Sequence, residues 1–76
     1  MQTYRNEGGN SGIRGYEVGD QFINVQFEDG QVYKYTYQSA GKTNVEQAKK
    51  LAQSGQGLHG FILRRINHNY LQKWRA

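Results

Sequence analysis

The second half of the chain carries side chains of the kinds that contact nucleic acid. From residue 47 onward there are six lysines and arginines and no aspartate or glutamate, and all six acids precede that point. Cationic side chains bind phosphate, while guanidinium groups and aromatic rings stack on bases. The predicted contacts to nucleic acid or another anion are Arg64, Arg65, Lys49, Lys50, His68, Lys73, Arg75 and Lys42, with Tyr70 and Trp74 as predicted stacking residues.

This charge distribution has two interpretations. The net charge is +4, and its separation along the chain suggests one anion-attracting face. Lys42 is added to the set because free N–H groups at the start of a helix, with Lys42 beside them, can hold an anion, whereas a plain helix cap at Thr43 would need no ligand. In the other interpretation the basic residues only solubilise two surface helices and a tail, and Trp74 packs back onto the core.

His59 and His68 are the chain's two histidines. Two imidazoles beside a lysine or arginine could provide the acid, the base and the phosphate clamp of a metal-free ribonuclease. On one continuous helix the two histidines would lie about 180° apart, at roughly 100° per residue, so they converge only if the chain bends after Asn67. We therefore predict no catalytic residues and a protein that is not an enzyme. The chain has no cysteine and no third ligand at a recognisable spacing, so neither a metal nor a cofactor is predicted.

The elements that position these side chains are predicted to form an α+β fold. Apolar residues alternate over 12–18, 21–27 and 31–38, and short Gly-containing turns separate these segments. This pattern predicts a three-stranded antiparallel meander, with two short α-helices packed on one face.

The turn at 28–30 decides which way the tyrosines of the third strand face. A two-residue turn would leave Tyr33 and Tyr35 largely exposed. A three-residue loop instead places them opposite Val25 and Ile23 on one buried face. Because each large side chain gains roughly 1.5–3 kcal/mol from burial, we favour the three-residue loop and leave the other register open.

Two helices are predicted to follow the meander. Thr43 and Glu46 have the spacing of a capping box at the start of the first helix, and Gly55 is placed to end it. Apolar residues at helical spacing predict the second helix over about 58–67, with a strand as the alternative.

Single residues at characteristic spacings extend over most of the chain: Ile13, Gly15, Tyr16, Ile23, Val25, Phe27, Gly30, Tyr33, Tyr35, Ser54, Gly55, Phe61, Ile66 and Tyr70. This pattern resembles the KTSC domain family, whose name comes from the C-terminus of some lysyl-tRNA synthetases. The resemblance covers about residues 11–70, and the family's central Tyr-x-Tyr would fall on Tyr33 and Tyr35. This chain lacks the Val-Pro that many members have before the helix. The family, which includes stand-alone bacterial and phage-type proteins, has no settled biochemical function, so RNA contact is implied by analogy only.

The chain is predicted to be one small domain of 76 residues. Residues 1–12 are expected to be a flexible tail, 13–70 a single KTSC-like domain and 71–76 a basic C-terminal tail. The apolar fraction of 36% predicts a thin core, which is compatible with a homodimer. With no apolar run of roughly 20 residues and no signal-peptide core, we expect a cytoplasmic protein with no membrane partner.

The first functional prediction is a non-enzymatic small binding module for an anionic partner, most plausibly RNA or DNA. One alternative is a protein-interaction factor that binds an acidic-surfaced protein, such as a phage-type inhibitor of a host nucleic-acid-binding or defence protein. Another is a small-nucleotide binder, which would need a closed pocket.

Overall fold

The computed structural model of the chain describes residues 1–7, 9 and 11–76, in which an antiparallel sheet packs against helices on one face. The sheet has five strands in the order β1-β2-β3-β4-β5, so each strand pairs with its neighbour in sequence. The predicted α+β class is confirmed, and the predicted number of three strands is wrong. The strands are β1 (Gln2–Thr3), β2 (Ile13–Val18), β3 (Phe22–Phe27), β4 (Gln31–Thr36) and β5 (Gln72–Arg75).

The two additional strands lie in the segments that were predicted to be tails. β1 pairs with β2, with Gln2 opposite Tyr16, and β5 pairs with β4, with Lys73 opposite Tyr33. All residues of both strands are exposed, so neither strand shows the alternation of buried side chains that predicts a strand. Gly8 and Asn10, which belong to the predicted N-terminal tail, lie outside the described residues.

The β3–β4 hairpin has the register predicted for a three-residue loop. Ile23 pairs with Tyr35 and Val25 pairs with Tyr33. Gly30 has a φ of 92°, a left-handed conformation that favours glycine, and its N–H donates to the Phe27 carbonyl at 2.9 Å. Tyr35 is consequently buried in the core, while Tyr33 is half-buried.

The connection from the sheet to the helices begins with a short helix, α1 (Tyr37–Ala40). Thr36 and Ser39 form a capping box there, in which each side chain accepts a hydrogen bond from the other residue's N–H at 3.0 Å. The predicted capping box at Thr43 is wrong, because the next helix, α2 (Lys42–Ser54), already begins after Gly41 and has no side-chain cap. Thr43 thus lies inside the first turn of α2.

The remaining helical segments complete the core. α2 buries Val45, Ala48 and Ala52, and it ends at Gly55 in the left-handed conformation, as predicted. The next segment is helical, as predicted, and does not form the alternative strand. It consists of α3 (Leu58–Phe61) followed by a π-helical turn (Ile62–Ile66). The core also contains Tyr4, whose hydroxyl oxygen accepts a hydrogen bond from the Leu58 N–H at 3.3 Å. This contact attaches the N-terminal segment to the start of α3.

Candidate functional site

A cavity of about 310 Å³ lies between β4, the π-helical turn and the segment that leads into β5. Its lining combines aromatic rings with polar and basic side chains. The cavity is lined by Phe27, Asp29, Tyr33, Tyr35, His59, Asn67, His68, Tyr70 and Lys73, and Ile62 and Leu63 add apolar surface.

The aromatic wall of the cavity is built from rings that meet at nearly right angles. The ring centroids of Tyr70 and Tyr33 are 5.0 Å apart with an interplanar angle of 87°, and those of Tyr70 and Tyr35 are 6.4 Å apart at 84°. Phe27 extends the wall, with its centroid 5.4 Å from that of Tyr33. Edge-to-face pairs of this kind are favourable beyond their buried area, so the rings support one another.

The sheet and the chain bend that follows the helix bring these rings together. Tyr33 and Tyr35 are two residues apart on one strand and therefore project from the same face. Beyond Ile66 the chain turns, with the Asn69 N–H donating to the Ile66 carbonyl at 2.8 Å. The Leu71 N–H then donates to the Lys34 carbonyl at 2.7 Å, which starts the pairing of β5 and leaves Tyr70 against the tyrosines of β4.

Both histidines line this cavity, although one comes from α3 and the other from beyond the bend. The His59 ring packs against Phe27 with a centroid distance of 5.7 Å. Nε2 of His68 lies 3.4 Å from the side-chain nitrogen of Asn67. From the sequence, the two histidines could approach each other only if the chain bends after Asn67. The chain does bend there, with the Asn69 N–H bonded to the Ile66 carbonyl.

Lys73 provides the ammonium group of the cavity. It lies opposite Tyr33 in the sheet, and its Nζ is 5.7 Å from the ring centroids of both Tyr33 and Tyr70. At this distance the rings attract the cation and hold it beside the aromatic wall. Asp29 lines the same cavity, and its side chain accepts a hydrogen bond from the Gln31 N–H at 2.9 Å.

Tyr35 forms the floor of the cavity in its uncharged form. Burial, with smaller contributions from the neighbouring Tyr33 and Tyr70, raises the pKa of Tyr35 above that of a free tyrosine. Its hydroxyl donates to the main-chain oxygen of Asn67 at 3.4 Å.

Two of the three predicted arginines, Arg64 and Arg65, line a second concavity of about 420 Å³ together with Phe61 and the first turns of α2. Both arginines are exposed. The α3 and π-helical segment therefore borders both concavities, because His59 and Leu63 line the first cavity.

The other predicted basic residues are distributed over the molecule. Lys49 contacts Glu46 at 2.8 Å and the Asp20 carbonyl at 2.9 Å, and its side chain is only 12% exposed. Arg75 donates to the Asp29 carbonyl, while Lys50 is exposed on α2. Lys42 is exposed at the start of α2. The basic set is thus not one continuous cluster, and Lys49 has a structural role.

The two predicted stacking residues lie on opposite faces of the sheet. Tyr70 contacts Tyr33 and Tyr35 on the helix-covered face. Trp74 pairs with Val32 one position after the Lys73–Tyr33 pair and therefore projects from the other face, where it is 38% exposed. Tyr33, for which the sequence allowed either an exposed or a buried position, is half-buried and lines the cavity.

The described part of the chain contains no group of three His, Cys, Asp or Glu side chains that could hold a metal ion. In the same residues, no helix has the length and apolar character needed to cross a membrane.

The chain matches no protein-family model, and comparisons with curated proteins and with solved structures find no match. The resemblance to the KTSC family therefore stays a prediction.

Proposed function

We propose that this protein is a non-enzymatic binding module for an anionic partner, and that the partner is RNA or DNA. The observation that carries the proposal is the meeting of Lys73, His59 and His68 with the aromatic wall of one cavity. Ammonium and imidazole groups donate hydrogen bonds to phosphate oxygens, and an aromatic ring offers a stacking surface to any base.

The second concavity supports the same function. Arg64 and Arg65 are exposed there, and the helical segment that carries them also carries His59 to the first cavity. A strand of nucleic acid that follows this segment meets both sets of side chains. The net charge of +4 adds attraction at longer range, which accelerates encounter with a polyanion.

The salt dependence of binding tests this function. Fluorescence anisotropy with labelled RNA and DNA oligonucleotides should show an affinity that falls steeply between about 50 and 200 mM salt, because binding releases counterions from the phosphates. Lys73→Gln should weaken binding and reduce the magnitude of the log–log salt slope by about 1.

Lys34→Gln is the matched control for Lys73→Gln. It removes the same charge from the adjacent strand, but Lys34 projects from the opposite face, where its Nζ lies 4.3 Å from the Phe22 ring centroid. We expect it to leave the salt slope closer to that of the unmodified protein. An absence of affinity at low salt, or an affinity that salt does not change, would contradict the proposal and favour a protein partner.

A further inference from the structure

We propose that the cavity receives one unstacked nucleoside monophosphate unit, with its base against Tyr33 and Tyr70 and its phosphate at Lys73 and the two histidines. The inference rests on the proposed function and narrows the ligand class. The unit could be a free mononucleotide or one nucleotide of a single strand, since both present the same base and phosphate.

The size of the cavity limits the ligand to a single unit. Its volume of about 310 Å³ lies at the small end of the roughly 300–1,000 Å³ typical of small-molecule sites. Bases of an intact duplex are stacked on one another and reach such a cavity only when a nucleotide is flipped out, at a cost of a few kcal/mol. The cavity therefore selects unpaired nucleotides over duplex.

The arrangement of the rings suits a planar ligand. Tyr70 is nearly perpendicular to both Tyr33 and Tyr35, with interplanar angles of 87° and 84°. These rings form a corner, so a base that stacks on one ring directs its edge toward another. Phe27 continues the apolar surface beyond Tyr33.

The polar side chains around this corner match the two ends of a nucleotide. The Lys73 ammonium lies beside the rings of both Tyr33 and Tyr70. A base stacked on either ring would therefore have a cation near the phosphate that it carries. The imidazoles of His59 and His68 can each donate at least one N–H to phosphate oxygens. Asn67 also lines the cavity, and its amide can pair with the edge of a base. The lining also contains the carboxylate of Asp29, which repels a phosphate, so the phosphate is expected at Lys73 and not at Asp29.

Titration calorimetry with separate ligands tests this assignment. The four nucleoside monophosphates, the matching nucleosides and inorganic phosphate form one series, and an oligonucleotide offered as a single strand and as a duplex forms another. We expect at least one monophosphate to bind more tightly than its nucleoside and than phosphate alone, and the single strand to bind more tightly than the duplex.

Three variants connect this binding to the cavity. Tyr70→Ala should weaken nucleotide binding roughly tenfold or more, because base–aromatic stacking has that magnitude. Trp74→Ala, which removes an aromatic ring from the opposite face of the sheet, should leave it unchanged. Lys73→Gln should reduce the preference for the monophosphate over the nucleoside, and because Lys73 is exposed this variant should keep its fold if Tyr70→Ala does not.

The outcomes separate this inference from the proposed function. Equal affinity for duplex and single strand, with no effect of Tyr70→Ala, would overturn the cavity assignment and leave nucleic-acid binding standing. Binding of monophosphates without binding of oligonucleotides would support the cavity assignment and remove the polymer as the ligand. If neither series binds at low salt, both proposals fail.

Discussion

The Tyr35 hydroxyl donates a hydrogen bond to the main-chain oxygen of Asn67, with the two oxygens 3.4 Å apart. The two residues are 32 positions apart in the chain, and the bond joins the C-terminal end of β4 to the residue that follows the π-helical turn. Beyond Asn67 the chain bends and carries His68 and Tyr70 to the cavity. A strand residue thus helps to fix the bend on which the far wall of the cavity depends.

Tyr35→Phe tests this connection, because it keeps the buried ring and removes only the hydrogen bond. We expect a loss of at most about 1 kcal/mol in the free energy of unfolding, since one hydrogen bond usually contributes about that much and this O–H···O contact is long at 3.4 Å. Hydrogen exchange at the Asn69 N–H, which bonds to the Ile66 carbonyl, should become faster. Tyr33→Phe is the control, since within the described part of the chain no hydrogen bond of the Tyr33 hydroxyl is found. Equal effects of both variants would show that the hydroxyl of Tyr35 does not hold the bend.

The features that the sequence predicted correctly are those with a local cause. The β3–β4 register follows from alternating apolar residues and from Gly30, whose backbone φ of 92° suits a three-residue loop. β5 could not be predicted in the same way, because its residues are exposed and it forms by main-chain pairing with β4. A strand without a buried face has no period of apolar residues.

The cavity was only partly predictable for the same reason. Lys73, His68 and Tyr70 were identified by residue type, but their meeting with Tyr33 and His59 depends on the bend after Asn67. That bend involves the hydrogen bond from Tyr35, which is distant in sequence. Tertiary contacts of this kind leave no local pattern, so the sequence could state the condition for convergence but not its outcome.

Stability should depend on pH through the contact between Tyr37 and Glu46, whose hydroxyl and carboxylate oxygens are 2.5 Å apart. The hydrogen bond to Glu46 raises the pKa of Tyr37 to about 12. Hydrogen bonds from Lys49 and then Tyr37 lower the pKa of Glu46 below its ordinary 4.5. Tyr37 therefore stabilises the fold below its ordinary pKa of 10.0, and this contribution is lost as pH rises toward about 12. Glu46 stabilises it above pH 4.5 and less so as pH falls further.

Thermal unfolding measured across pH checks the predicted losses of stability at alkaline and at acid pH. For the unmodified protein we expect the midpoint to fall at both ends of the range. Tyr37→Phe should reduce the alkaline decline and part of the acid decline, while the remaining alkaline decline reflects Tyr35, whose pKa is also raised. If the curve of Tyr37→Phe is merely displaced and keeps the same shape, the linkage to this pair is wrong.

The start of the helical region offers a direct comparison between two threonines. Thr36 caps α1 through its bond with the Ser39 N–H, so Thr36→Ala should cost about 1 kcal/mol of stability. Thr43 is exposed inside the first turn of α2, so Thr43→Ala should change stability by no more than about 0.5 kcal/mol. Urea denaturation of both variants measures the difference. The opposite ranking would place the important cap at Thr43.

Two glycines should respond to alanine with opposite signs. Gly30→Ala should destabilise the protein by about 1 kcal/mol, because alanine avoids a φ of 92°. Gly60→Ala should stabilise it by up to about 1 kcal/mol, since Gly60 lies within α3 and alanine has the higher helix propensity. Chemical denaturation of both variants measures the two changes.

The outcome at Gly60 depends on how freely one arginine can move. A methyl group there would lie 2.9 Å from a guanidinium nitrogen of Arg64, which is closer than real Cβ contacts allow. Because Arg64 is exposed and its side chain is flexible, the guanidinium can move away at little cost. Destabilisation by Gly60→Ala would instead show that Arg64 is held in place across α3. In that case its guanidinium is already positioned for an anion in the second concavity, and Arg64→Lys should weaken anion binding there.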